Sequence, residues 1–140
     1  MKYLVLVSTL LLGACSSTFN LQQNVDLIAA VAGSASSSVY GTYQFEVKAS
    51  GKLNGKVYLN TEDDYRDSQS ISIALSPEFV KAFIRDKGLS PKVYFLSKKI
   101  EVTGEVQRIK VNLYSGGQKT GKYYYQTHVI VNTLDQIKEI

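Results

Sequence analysis

The stretch Ser70-Ile71-Ser72-Ile73-Ala74-Leu75-Ser76-Pro77-Glu78-Phe79-Val80 holds the two signals on which the fold turns. Ile71, Ile73 and Leu75 alternate with Ser70, Ser72 and Ala74, which is the pattern of a strand with one apolar face. At Ser76 the period changes. A hydroxyl stands at the N-cap position, a proline at the first helical position and an acid in the first turn, beside the positive end of the helix dipole. Phe79, Val80, Phe83 and Ile84 then share one helical face, and Gly88 provides a left-handed stop.

Upstream the alternation continues. Tyr43, Phe45, Val47 and Ala49 face one way and Thr42, Gln44, Glu46 and Lys48 the other, and Gly51 interrupts them as a bend or bulge would. Asn54-Gly55 marks a tight hairpin turn, because both positions accept positive φ. Lys56 to Asn60 is the returning strand. Downstream of the helix, Pro91 blocks further helix, and Val93 to Leu96 is a short apolar segment. Ile100, Val102 and Val106 begin a fourth strand that runs to Leu113. Tyr114 to Lys122 reads as a Gly- and Lys-rich loop, and Tyr123 to Asn132 as a fifth strand. The expected core is Phe45, Val47, Val57, Leu59, Ile71, Ile73, Phe79, Phe83, Ile100, Val102, Val129 and Val131.

The N-terminus has a different character. Lys2, an apolar run from Leu4 to Leu12, and Gly13-Ala14 before Cys15 are the three parts of a secretory signal. The run is about half the ~20 residues that a stable membrane-crossing helix needs. Leu12-Gly13-Ala14-Cys15 resembles the lipobox of bacterial lipoproteins, which implies lipid on the Cys15 thiol and cleavage before it. The implied address is the cell envelope, with the chain held to the membrane through that lipid. In an organism with two membranes, Ser16 after the cysteine implies the outer one, facing the periplasm. Cys15 is the sole cysteine, so no disulfide within the chain can brace the fold. The expected organisation is a leader over 1–14, a lipidated tether over 15–38 and one folded domain over 39–140. Within the tether, Asn20 to Val31 reads either as a short helix, with Leu21, Val25 and Ile28 at helical spacing, or as a leash.

Three strands, one helix and two strands is the chain order of the OB-fold, a five-stranded Greek-key barrel with its helix between the third and fourth strands. Four segments resemble the nucleic-acid-binding branch of that superfamily. They are Gly55 to Asn60, Ser72 to Pro77, Ser97 to Val106, which looks like the V-x-V-x-G-x-V entry to the fourth strand of that branch, and Val129 to Ile137. The fold class expected is therefore mainly β, an OB-fold barrel behind a signal peptide and flexible tether. Members hold single strands by aromatic stacking and a basic groove. Carried onto this chain, that places ligand contacts at Lys56, Tyr58, Asn60 and Ser72, and on Tyr114, Lys119, Lys122, Tyr123 and Tyr125.

Charge permits such a partner without requiring it, since the chain carries only +4 at neutral pH. Gly116 to Lys122 has the glycine and lysine spacing of a phosphate-binding loop. Tyr123 follows where a serine or threonine would reach magnesium, and no helix pattern follows, so the segment reads as a basic loop at the rim. His128 is the sole histidine, with no carboxylate or nucleophile near it in sequence, and reads as a sheet residue with its polar tip in water. Glu62, Asp63, Asp64 and Asp67 lack the spacing of a calcium loop and read as a solvated turn. No catalytic set, metal site or cofactor motif emerges. The expectation is a non-catalytic binding module whose leading ligand is single-stranded nucleic acid; the alternatives are a structural or adaptor lipoprotein that holds another envelope protein, and an oligosaccharide-binding module.

Overall fold

A computed structural model describes residues 21–140. The leader and Cys15 lie outside the described residues. Chain order is α1 (Leu21–Gly33), β1 (Ser38–Glu46), β2 (Ala49–Leu53), β3 (Lys56–Asn60), β4 (Ile71–Leu75), α2 (Pro77–Lys87), α3 (Pro91–Tyr94), β5 (Lys99–Ser115) and β6 (Gln118–Val131). A 3-10 turn (Leu134–Gln136) and β7 (Ile137–Glu139) complete it. The strands form one sheet in the order β1-β5-β6-β4-β3-β2, with β7 added on β5. All pairs are antiparallel except β4 with β6, which run parallel because α2, α3 and β5 intervene between them.

This corrects the expected five-stranded OB-fold barrel. The described sheet has seven strands, is mixed and open, and is accompanied by three helices instead of one. The long first strand of the sequence reading is two strands with different partners. The Val47 N–H donates to the Lys98 carbonyl and the next, Lys48, to the Asn60 carbonyl, so the hydrogen-bonding partner changes between these residues. No ladder joins β1 to β2, which stand at the two ends of the strand order. Val47 and Lys48 link those ends directly, and the sheet therefore curls around its apolar face.

That face is the core. Phe45, Val47, Val57, Leu59, Ile71, Ile73, Leu75, Ile100, Val102, Val106, Val129 and Val131 are fully buried, with Phe79, Val80, Phe83 and Phe95 closing over them from the helical side. The start of α2 is built as its residues dictate: the Ser76 hydroxyl accepts from the Phe79 N–H at 3.1 Å. Gly88 ends it at φ 76°, its N–H returning to the Ile84 carbonyl. The 20s segment is a helix, and it belongs to the packed body. Its inward stripe is Asn24, Leu27 and Val31, whereas Val25, on the face marked by the sequence spacing, is exposed.

The segment expected as a loop over 114–122 is also different. β5 continues to Ser115, turns at Gly116-Gly117 with φ 58° and 80°, and returns as β6 from Gln118. Two consecutive positive φ values are what a two-residue hairpin turn requires, and glycine supplies both without strain. The β1 ladder on β5 ends at Gln107 and the β4 ladder on β6 ends at Thr127. Beyond them β5 and β6 pair only with each other. They form a two-stranded arm that projects from the sheet.

Candidate functional site

The second face of the curled sheet, opposite the core, carries a groove of about 560 Å³. Register builds its floor. Asn60 on β3 stands opposite Ser72 on β4, Ser72 opposite His128 on β6, and His128 opposite Gln107 on β5. One row of polar side chains therefore crosses four strands. The Ser72 hydroxyl donates to Asn60 Oδ1 at 2.7 Å, and both residues are buried. That bond satisfies groups which would otherwise cost a desolvation penalty beneath the groove.

Tyr58 stands over this floor, its ring edge-on to the His128 imidazole with centroids 5.6 Å apart. His128 is half-buried, and burial together with the Lys56 ammonium holds its pKa below the ordinary histidine value. The imidazole is therefore neutral at neutral pH. His128 Nε2 lies 2.8 Å from Gln126 Oε1, and Gln126 Nε2 donates to the Tyr124 hydroxyl oxygen at 2.9 Å. With the amide so oriented, His128 is the Nε2–H tautomer and donates to Gln126. The relay leaves a donor at the Tyr124 hydroxyl and an acceptor at His128 Nδ1. Gly51, Lys52 and Leu53 of β2 form one wall, Ile109 and Val111 of the arm another, and Tyr65 closes the rim.

Of the residues expected from sequence, Tyr58, Asn60 and Ser72 line this groove, and Lys56 acts on it through its charge at His128. Tyr114, Lys119, Lys122, Tyr123 and Tyr125 do not line it; they lie on the arm. Tyr123 and Tyr125 have the opposite parity. Lys110 Nζ sits 4.1 Å from the Tyr123 ring centroid, and the Arg108 guanidinium 3.6 Å from that of Tyr125. Tyr124, Gln126 and His128 are the residues of β6 that face the groove. They were findable: once Val129 and Val131 are placed inward, strict alternation sends His128, Gln126 and Tyr124 to the other face. Gly116 to Lys122, with its phosphate-loop spacing, spans a hairpin turn and the start of a strand, with no helix after it. In the acidic segment Asp64 is engaged by its neighbour, accepting from the Arg66 backbone and guanidinium, which holds its carboxyl below the usual range.

No protein-family model matches the chain and no curated protein is significantly similar to it. The groove is the candidate site. Its lining holds six aromatic or apolar side chains beside amide, imidazole and hydroxyl groups and one ammonium, that of Lys52, and contains no aspartate, glutamate or cysteine. It offers ring faces and neutral hydrogen-bonding groups.

Proposed function

We propose that this protein is a non-catalytic carbohydrate-binding domain, tethered to the cell envelope by lipid on Cys15. The observation that carries the first part is the aromatic, amide-bearing lining between Tyr58 and Tyr124, free of carboxylates. A sugar ring presents C–H groups on one face, which pack on the electron-rich face of a tyrosine. Its hydroxyls donate and accept at once, as the Tyr124 hydroxyl and the His128 Nδ1 acceptor require. Volume agrees, since small-ligand sites run from about 300 to 1,000 Å³ with a few placed polar groups. A lining without carboxylates supports binding over hydrolysis, because glycoside cleavage ordinarily needs a pair of them.

Single-stranded nucleic acid fits this groove less well. A strand needs cations along its path, and Lys52 in the wall with Lys56 beside His128 are the charges at hand. Titrating the full chain with N-acetylglucosamine oligomers, and separately with a homopolymer oligonucleotide, decides between them by the NMR signals of His128 and Tyr58. Sugar-dependent shifts are expected, insensitive to salt. Tyr58→Ala should weaken sugar binding on the order of tenfold. Silence toward the sugars, with salt-sensitive oligonucleotide binding at the same signals, overturns the carbohydrate reading.

The tether rests on Leu12-Gly13-Ala14-Cys15 and the apolar run before it. Cys15→Ser should abolish incorporation of labelled palmitate and release the protein from membranes. Undiminished labelling in that variant removes the lipid anchor from the proposal.

A further inference from the structure

The arm carries a second surface, independent of the groove. Between Glu105 and Asp135 the chain has four cations, Arg108, Lys110, Lys119 and Lys122, and not one acid. These four equal the net charge of the whole chain, +4. Among the described residues the ion pairs join Lys48 to Glu62, Arg66 to Asp64, Lys98 to Glu139 and Lys138 to Glu101, so none neutralises the arm.

The geometry also says what kind of anion suits it. Arg108 and Lys110 lie over the rings of Tyr125 and Tyr123, and those rings meet edge to face at 5.6 Å and 78°. One face of each ring is therefore covered by a cation, and Arg108 and Lys110, two residues apart on β5, present their charge side by side. A nucleobase stacking on those covered faces would have to displace a cation. A phosphate would not. Toward the tip Leu113 and Tyr114 are exposed, the latter at 60%, beside the Gly116-Gly117 turn. Tyrosine rings flanked by lysine and arginine, with an apolar residue at the tip, form the composition that settles at a membrane–water interface.

We propose that the β5–β6 arm, through the face of Arg108 and Lys110 and through its tip, is a docking surface for an anionic lipid bilayer, with phosphate headgroups meeting Arg108 and Lys110 on that face and Lys119 and Lys122 near the tip. The bilayer orients the domain through this contact and leaves the groove, which lies on the opposite face of the arm, turned away from the membrane. Each cation near an anionic surface contributes about fivefold in affinity, and salt screens it.

The test uses the full chain sedimented with vesicles of phosphatidylcholine alone or with about one third phosphatidylglycerol. The N-terminal apolar run adds equally to both, so the readout is the ratio of the two affinities. A ratio well above one at low salt, collapsing at high salt, is expected. Arg108→Gln with Lys110→Gln should lower it roughly 30-fold. Lys119→Gln with Lys122→Gln, distant from the packed sheet, should do the same if the first pair disturbs folding. Lys81→Gln with Arg85→Gln, exposed cations of α2, should leave it unchanged. A wild-type ratio near one overturns the proposal. So does an equal fall in the α2 variant, or arm-dependent binding of a homopolymer oligonucleotide without preference for anionic vesicles.

Discussion

Phe45→Ala is expected to destabilise the domain by about 3–5 kcal/mol. Phe45 is fully buried, stands opposite Ile100 on β5, and lies 6.3 Å from the Tyr43 ring on the same face of β1. It is also two residues before the point at which the chain changes partners, where Val47 bonds to Lys98 and Lys48 to Asn60. A void there removes packing from the place where both ends of the sheet meet, and a closely packed interior relaxes only partly into it. Stabilities of such domains are typically about 5–15 kcal/mol, so the loss is a large fraction of the whole. Urea unfolding should show the midpoint fall with an unchanged slope. A cost below about 1 kcal/mol would mean that the apolar face of β1 does not look into the core.

What the sequence shows about this fold is what half-burial and capping chemistry write into it. Ser76-Pro77-Glu78 and Gly88 bound α2 in the structure as their chemistry requires, and the twelve residues expected in the core are all buried. The strand break at Val47-Lys48 is not written in the same way. Phe45 and Val47 both stay inward through it, and a change of hydrogen-bonding partner leaves no trace in an alternation of side chains. β7 is three residues long with one buried side chain, Ile137, which is too little for a period. The barrel expectation failed at these points, because element order was legible and closure is a property of ladders.

The arm and α1 were obscure for related reasons. Alternation appears only where one face is buried, and residues 113–123 bury neither face, so two paired strands read as a Gly- and Lys-rich loop. In α1 the inward stripe begins with a polar residue, Asn24, which hides it behind the more apolar series Leu21, Val25 and Ile28. The groove was half legible. Tyr58, Asn60 and Ser72 follow from the parity of Val57, Leu59, Ile71 and Ile73. On β6 Tyr123 and Tyr125 stand out in the sequence as aromatic residues, and a shift of one position on a strand moves a residue to the other face. Tyr124, Gln126 and His128 were one residue away.

Gly104→Ala should be nearly as damaging as the loss of Phe45, at about 3–5 kcal/mol from overpacking together with broken hydrogen bonds. Gly104 is buried on β5 opposite Gly41, at the step where β5 passes between β1 and the end of β6. A Cβ there would lie 2.6 Å from the Ile130 carbonyl oxygen and 3.3 Å from Gln136 Nε2. The first is backbone and cannot step aside without moving β6. The second is the hub of a clasp. Gln136 Nε2 donates to the Thr103 and Ile130 carbonyls at 2.9 and 3.2 Å, and its Oε1 accepts from the Asn132 and Thr133 N–H groups. One methyl group therefore pushes on the ladder and unfastens the C-terminal turn from β5. Gln136→Ala alone should cost about 1–3 kcal/mol, by leaving those backbone groups unpaired. Because both changes act on one clasp, the double variant should cost less than the sum, which a double-mutant cycle measures. Gly51→Ala is the comparison, since a Cβ at Gly51 meets nothing within 4 Å; it should stay within about 0.5 kcal/mol of wild type. If Gly104→Ala behaves like Gly51→Ala in chemical unfolding, β5 and β6 do not approach as closely at Gly104 as described, and the clasp through Gln136 is not what holds the C-terminal turn.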